Sequence, residues 1–341
     1  MNTQELNSIA KAMVAPGKGI LAMDESDPTC NTRFAKLGID TTEEKRREYR
    51  DMLLSGAELP NYIGGAILYD ETIRQNTLAG KPFPQHMQEI GIVPGIKVDT
   101  GAKDLAGHPG EKVTEGLDGL RERLAEYYDM GARFAKWRAV ITIGDGIPSR
   151  GCIEANAHAL ARYAALCQEA NIVPIVEPEV LINGDHTLER CYEVTEETQK
   201  TLFSEMQQQR VAMKGVILKA SMVISALDCP NRAGVQQVAE ETVRCLRNAV
   251  PENLPGVVFL SGGQSNQEAT DHLNAMNKLD MDLPWPLTFS YARALQNPAM
   301  EIWSGQADNV TTAQKAFYHR ARVNSAAAQG QYTPEMEKEA A

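Results

Sequence analysis

Long hydrophobic runs, a basic excess and any clustered spacing of cysteine or histidine are missing from this chain, and each absence removes a class of function. No apolar stretch approaches the roughly 20 residues of a membrane-spanning helix. The amino-terminal residues have neither the apolar core of a signal peptide nor the Arg- and Ser-rich bias of a transit peptide. A soluble cytoplasmic protein with no membrane partner is therefore expected. The formal net charge is −11, so nucleic acid, like an anionic membrane, is excluded as the main partner, because each demands a basic face. Any anionic ligand must be held by a local cluster of cations. Cys30, Cys152, Cys167, Cys191, Cys229 and Cys245 form no Cys-x-x-Cys pair, which fits reduced thiols better than disulfides or zinc ligands. The six histidines offer no His-x-His or His-x-x-x-His spacing, and no metal is expected.

What is present is a regular alternation. The chain has 341 residues, 43% of them hydrophobic, enough for one large α/β barrel or two ordinary domains. A short helix is predicted over 2–14, with Leu6, Ile9, Ala10 and Met13 at helical spacing. Short apolar runs then recur at 19–23, 63–69, 93–98, 133–140, 172–176, 216–218, 256–260 and 287–291. Helical patterns lie between most of them. Thr41-x-x-Glu44 reads as a capping box opening a helix from Glu43 to Leu54, and Val235, Val238, Thr242 and Leu246 keep one face of another. Strands alternating with helices mean a parallel sheet, and about eight repeats in some 300 residues predict a closed (β/α)8 TIM barrel. The expected organisation is a single catalytic domain over 1–330, begun by the amino-terminal helix, and a short mobile tail over 331–341.

A barrel of this kind builds its site where the strands end. The polar residues at those ends are Asp24, Glu25 and Ser26 after the first run, Lys97 and Asp99 on the third, Lys136 and Arg138 on the fourth, and Glu177 and Glu179 after the fifth. Lys219 follows the sixth, Ser261-Gly262-Gly263 the seventh, and Ser290 and Arg293 the eighth. Lys136 and Arg138 are two residues apart, so both side chains point to one face and Trp137 to the other. Two glycines after Ser261 leave backbone N–H groups unobstructed before a helix, which suits a phosphate, and the loops after the last two strands are the usual phosphate site of such barrels. A lysine among cations in a low dielectric loses its proton more easily. Lowering it from about 10.4 to near neutrality takes roughly 4 kcal/mol and yields an amine that attacks carbonyls. The predicted chemistry is a Schiff base on Lys219, with Glu177 or Asp24 moving protons and a phosphate held near Ser261 and Arg293.

Seven stretches carry a resemblance: Leu-Ala-Met-Asp-Glu-Ser at 21–26, Gly-Ile-Lys-Val-Asp at 95–99, Ala-Lys-Trp-Arg at 135–138, Val-Glu-Pro-Glu at 176–179, Leu-Lys-Ala-Ser-Met-Val at 218–223, Leu-Ser-Gly-Gly-Gln-Ser at 260–265 and Ser-Tyr-Ala-Arg-Ala-Leu-Gln at 290–296. In order and spacing they resemble the class I fructose-bisphosphate aldolases, from residue 1 to about residue 333. The resemblance implies that Lys219 forms the Schiff base and that Glu177 dehydrates the carbinolamine. Asp24 would take the C4 hydroxyl proton, Lys136 would assist as a neighbouring cation, and Glu179 would be a supporting carboxylate. Ser261, Gly262, Gly263, Ser290 and Arg293 would hold the C1 phosphate, and Lys97, Arg33, Arg46, Ser26 and Arg138 would surround the far phosphate. It further implies a phosphorylated sugar substrate, no cofactor, no metal and a homotetramer.

Two departures stand out. Ala292 occupies a position where many family members have glycine, and the chain lacks the longer tail with a terminal tyrosine found in vertebrate-type members. Tyr332 is no obvious substitute for that tyrosine, and Glu177 is the candidate to protonate the enamine. Alternative readings keep the barrel: a pyridoxal-phosphate enzyme using the Ser261 loop for the cofactor's phosphate, or a catalytically silent binding scaffold.

Overall fold

Short apolar runs of β-branched and small residues pair edge to edge until no edge remains. In the computed structural model, which describes residues 1–339, ten strands form: β1 (Gly19–Ala22), β2 (Ile63–Leu68), β3 (Val93–Lys97), β4 (Gly101–Asp104), β5 (Lys112–Glu115), β6 (Phe134–Ile141), β7 (Val173–Val180), β8 (Ile217–Ala220), β9 (Gly256–Phe259) and β10 (Leu287–Tyr291). Eight of them close a parallel barrel in the order β1-β2-β3-β6-β7-β8-β9-β10, with β10 returning to β1. Each overlaps one of the predicted runs. β4 and β5 form a separate antiparallel hairpin between β3 and β6, which the sequence pattern does not announce because its residues are mostly polar and exposed.

Side-chain alternation then sorts the barrel into an inside and an outside. Ile20, Ile67, Phe134, Val173, Ile175, Ile217 and Val258 fill the interior and join Leu6, Ala10 and Met13 of the amino-terminal helix Thr3–Met13 in one cluster. That helix closes the end where the strands begin. Burying Phe134 completely contributes about 1.5–3 kcal/mol. Its ring needs room from the neighbouring strand: a Cβ on Gly95 would lie 2.2 Å from the ring. Trp137 faces outward, as its position between Lys136 and Arg138 requires, and packs on Tyr163 of the helix Arg150–Glu169 with ring centroids 5.5 Å apart.

Local signals set most helix ends. Ser265 and Glu268 make a reciprocal capping box at the start of the helix Asn266–Lys278. The helix Glu43–Leu54 is present as expected, but its cap is Thr42, whose hydroxyl accepts from the Lys45 N–H at 3.2 Å, and not the Thr41/Glu44 pair. Of the expected tail, Tyr332 is buried and Pro334–Glu339 forms a 3-10 turn, while Ala340 and Ala341 lie outside the described residues. Among the described residues all six cysteines are buried free thiols, and no helix is long and apolar enough to cross a membrane.

The closure by the amino-terminal helix makes one glycine decisive. A Cβ on Gly64 of β2 would lie 2.4 Å from the Met13 carbonyl oxygen and 2.9 Å from that of Ala12, and both obstacles are backbone. Gly64→Ala is expected to cost about 1–3 kcal/mol, the range for overpacking, read as a lower urea midpoint. An unchanged midpoint would mean that the helix end is not held against β2.

Candidate active site

The strands carry their polar ends to one rim, where a cleft of about 810 Å³ opens. Its lining contains Asp24 and Ser26 beyond β1, Lys97 of β3, Lys136 and Arg138 of β6, Glu177 and Glu179 of β7, and Lys219 of β8. Ser261 and Gly262 follow β9, while Ser290 of β10 and Arg293 complete it. The predicted strand-end residues therefore converge, with three exceptions: Arg33, Arg46 and Gly263 do not line the cleft. The expected site stands directly above the apolar layers of the barrel, because a strand that points Ile175 inward must point Glu177 and Glu179 inward two and four residues later.

At the floor, four charges form an alternating row. Asp24 Oδ2 is 2.7 Å from Lys136 Nζ; Lys136 Nζ is 3.3 Å from Glu177 Oε2; Glu177 Oε1 is 3.0 Å from Lys219 Nζ. The Lys219 residue is 4% exposed and Glu177 3%, so this is a low-dielectric site. Burial by itself would push the Asp24 carboxyl up, but the ammonium groups of Lys136, Lys219 and Lys97 outweigh it and bring it from 3.8 down to about 2. Glu177 is likewise driven up by burial and driven down more strongly by Lys219, Lys136 and Arg138. Lys136, desolvated yet placed among Asp24, Glu177 and Asp99, is held firmly protonated. The lysines expected to form a crowd of cations are thus interleaved with carboxylates.

Above the floor the cations divide into two groups. Lys97 is 2.8 Å from Asp99 Oδ1, and Arg138 is ion-paired with Glu179. Ser26 shares a hydrogen bond of 3.1 Å with Thr29, which also lines the cleft at the amino-terminal end of the helix Asp27–Lys36. Across the cleft, Gly262 and Gly263 adopt φ of 57° and 97°, a turn that favours glycine. Arg293 begins the helix Arg293–Trp303 behind Ala292, whose φ of −102° strains no side chain. The Ser290 residue is 1% exposed, and its hydroxyl has no hydrogen-bond partner among the described residues. Helix starts and unobstructed N–H groups at both ends suit two anionic groups.

Behind the rim, further residues hold the strand ends in place. Glu25 is half-buried between Arg33 and Arg50, and Arg33 also donates to Gln296 Oε1 at 2.8 Å and Asn297 Oδ1 at 3.0 Å. Gln296 in turn donates to the Ala22 carbonyl at 2.6 Å, tying the end of β1 to the helix after β10. Arg46 is clamped by Glu71 at 2.8 and 2.5 Å and accepted by Asn31 at 3.0 Å. The hairpin adds Gly101 and Ala102 to the cleft wall. Glu25 belongs to the polar end of the first run and lines the cleft, whereas Gln296 is marked in the sequence only by the stretch 290–296. Tyr332 donates to Glu337 at 3.2 Å and takes no part in the cleft lining.

Residues 5–341 match the family model described as fructose-bisphosphate aldolase class-I. A protein of Xanthomonas campestris pv. campestris named probable fructose-bisphosphate aldolase class 1 is 59% identical over 333 residues, 97% of this chain and 99% of that one. The fructose-bisphosphate aldolase of Dictyostelium discoideum is 49% identical over 334 residues, 97% and 93% of the two chains. Among solved structures, fructose-bisphosphate aldolase from Plasmodium falciparum, in a complex with TRAP and a small-molecule inhibitor, superposes with a TM-score of 0.95. It shares 45% identity, covering 97% of this chain and 96% of that one.

The row of charges links the site to acid stability. The folded pKa of Asp24, about 2, lies below its ordinary value of 3.8, so its ionised form stabilises the fold by about 2 kcal/mol. That contribution is fully present above about pH 4 and is lost as pH falls through about 2. Asp24→Asn is expected to flatten the decline of stability over that window, measured by urea unfolding at stepped pH. An undiminished acid slope would place the lost proton uptake on another group.

Proposed function

The chain belongs to the class I fructose-bisphosphate aldolases, and from that membership and the cleft geometry we propose that it cleaves fructose 1,6-bisphosphate reversibly to dihydroxyacetone phosphate and glyceraldehyde 3-phosphate. The observation that carries this reading is the contact of 3.0 Å between Lys219 Nζ and Glu177 Oε1, both buried at the closed end of a charged cleft.

Glu177 starts ionised and within reach of the ammonium proton, so it can take that proton and leave Lys219 as a neutral amine. The amine adds to the C2 carbonyl, and Glu177 returns the proton to the carbinolamine hydroxyl, which leaves as water. The resulting iminium is the electron sink. Asp24, kept anionic by Lys136, removes the C4 hydroxyl proton; the C3–C4 bond breaks toward the iminium, and glyceraldehyde 3-phosphate departs. An enamine is left on Lys219. Glu177, ionised since the dehydration, takes a proton from solvent in the open cleft and delivers it to C3, Asp24 returns the C4 hydroxyl proton to solvent, and water then hydrolyses the iminium to release dihydroxyacetone phosphate.

Ser261, Gly262, Gly263, Ser290 and Arg293 hold the C1 phosphate in this reading, with the unpartnered Ser290 hydroxyl as one ready donor. Lys97, Arg138 and Ser26 hold the far phosphate, and Glu179 orients Arg138. Arg33 and Arg46 act from behind, through Glu25 and Glu71. Residues 1–330 serve as one catalytic domain in a cytoplasmic homotetramer, working without metal or cofactor in glycolysis and gluconeogenesis.

Borohydride reduction in the presence of dihydroxyacetone phosphate is expected to add the reduced ketone to the peptide holding Lys219, by mass mapping. The adduct should vanish in Lys219→Ala, and EDTA should not lower activity. An active enzyme that forms no adduct and is silenced by EDTA would overturn the Schiff-base reading. Glu177→Gln keeps the shape but cannot shuttle protons, and should lower kcat by about 10²–10⁴-fold. Steady-state assay of a variant with an unaltered circular dichroism spectrum checks this, and a kcat within error of the unaltered enzyme would remove Glu177 from the proton transfers.

A further inference from the structure

The turn after β9 is short of internal restraint. Gly262 and Gly263 have no side chains, and the turn closes on one backbone bond, Gln264 N–H to the Ser261 carbonyl at 3.0 Å. What fixes it to the rest of the barrel is the Gln264 side chain. Its Nε2 donates to Met222 Sδ at 3.5 Å, and its Oε1 is 2.6 Å from His272 Nδ1. Met222 is buried three residues beyond Lys219, and His272 is 2% exposed on the helix Asn266–Lys278 that follows the turn. An amide oxygen only accepts, so Nδ1 must carry the proton. Burial lowers the imidazole to about 4, and at neutral pH the ring is uncharged with that proton committed to Gln264.

We infer that His272 is a positioning residue: through Gln264 it fixes the Ser261-Gly262-Gly263 backbone relative to the strand that carries Lys219. The inference rests on the reading that this loop takes the ketose phosphate. His272 touches no substrate. It sets the distance between the phosphate anchor and the reacting amine, so its removal acts on phosphorylated ligands and leaves the chemistry of the amine in place.

The test compares His272→Leu, Gln264→Leu, their double variant and His272→Asn, whose Nδ2–H lies where the Nδ1–H does. Each leucine variant is expected to raise KM for fructose 1,6-bisphosphate about three- to tenfold, the effect of one hydrogen bond, with kcat nearly unchanged. The double variant should add little to either single change, and His272→Asn should recover most of the loss. Borohydride trapping of unphosphorylated dihydroxyacetone on Lys219 should be the same in all of them. A folded variant with unchanged KM would overturn the inference, as would an equal loss of trapping with the unphosphorylated ketone. If His272→Leu does not fold, the partly exposed Gln264→Leu decides. Failure of the unaltered enzyme to trap either ketone identifies instead a failure of the Schiff-base reading, and this inference falls with it.

Discussion

Charges buried at the closed end of a barrel must balance one another, and the rest of this structure follows from that constraint. Moving one ion out of water costs several kcal/mol even after relaxation. Asp24, Lys136, Glu177 and Lys219 are each almost inaccessible, and they meet the cost by alternating in sign at 2.7, 3.3 and 3.0 Å. Position within the row assigns the roles. Lys136 is enclosed by carboxylates on both sides and is locked in its charged form. Lys219 stands at the end, with Glu177 its one carboxylate partner among the described residues, and its other side faces the cleft.

A row of this kind holds its spacing only if the strands under it do not move. The interior below is filled by apolar side chains and sealed by the amino-terminal helix, while Trp137 pins β6 to its covering helix from outside. The same strand therefore anchors on Trp137, fills with Phe134 and reacts through Lys136. Gln296 and Glu25 hold the end of β1 in a comparable way: one takes the Ala22 carbonyl as acceptor and the other gathers two arginines. Asp24, between Ala22 and Glu25, has little freedom left.

Strand alternation is what made the fold and most of the site legible. Each barrel strand is an apolar run with its polar residues at one end, so reading those ends recovers Asp24, Lys97, Lys136, Glu177, Lys219, Ser261 and Ser290 as neighbours. The failures have physical causes. The fifth apolar run stops at Val176, whereas β7 continues through Glu177, Pro178 and Glu179 to Val180, with Pro178 paired to Ala139, because apolar character alone does not mark the polar end of a strand. The resemblance places Arg33 and Arg46 around the far phosphate, whereas they pair with Gln296 and Glu71, 263 and 25 residues away, and spacing cannot report such pairs. The carboxylates are legible on the same rim as the lysines, but that Asp24 and Glu177 stand in contact with Lys136 and Lys219 in alternating order depends on strand register, which spacing does not report.

Charge conservation explains why two acids and two bases suit the proposed reaction. In the proposed reaction Lys219 enters as an ammonium and becomes an iminium, each carrying one positive charge, so the row has the same sum before and after condensation. Between them the amine is neutral, and at that step Glu177 holds the proton it removed; the pair still sums to zero. A further carboxylate beside Lys219 would bind the ammonium too firmly to release that proton. Without Glu177, Asp24 at 2.7 Å would still hold Lys136 in its charged form, whereas Lys219 would have, among the described residues, neither a carboxylate partner nor a group in reach to carry its proton to the carbinolamine hydroxyl. The alternation thus selects which lysine reacts as well as stabilising both.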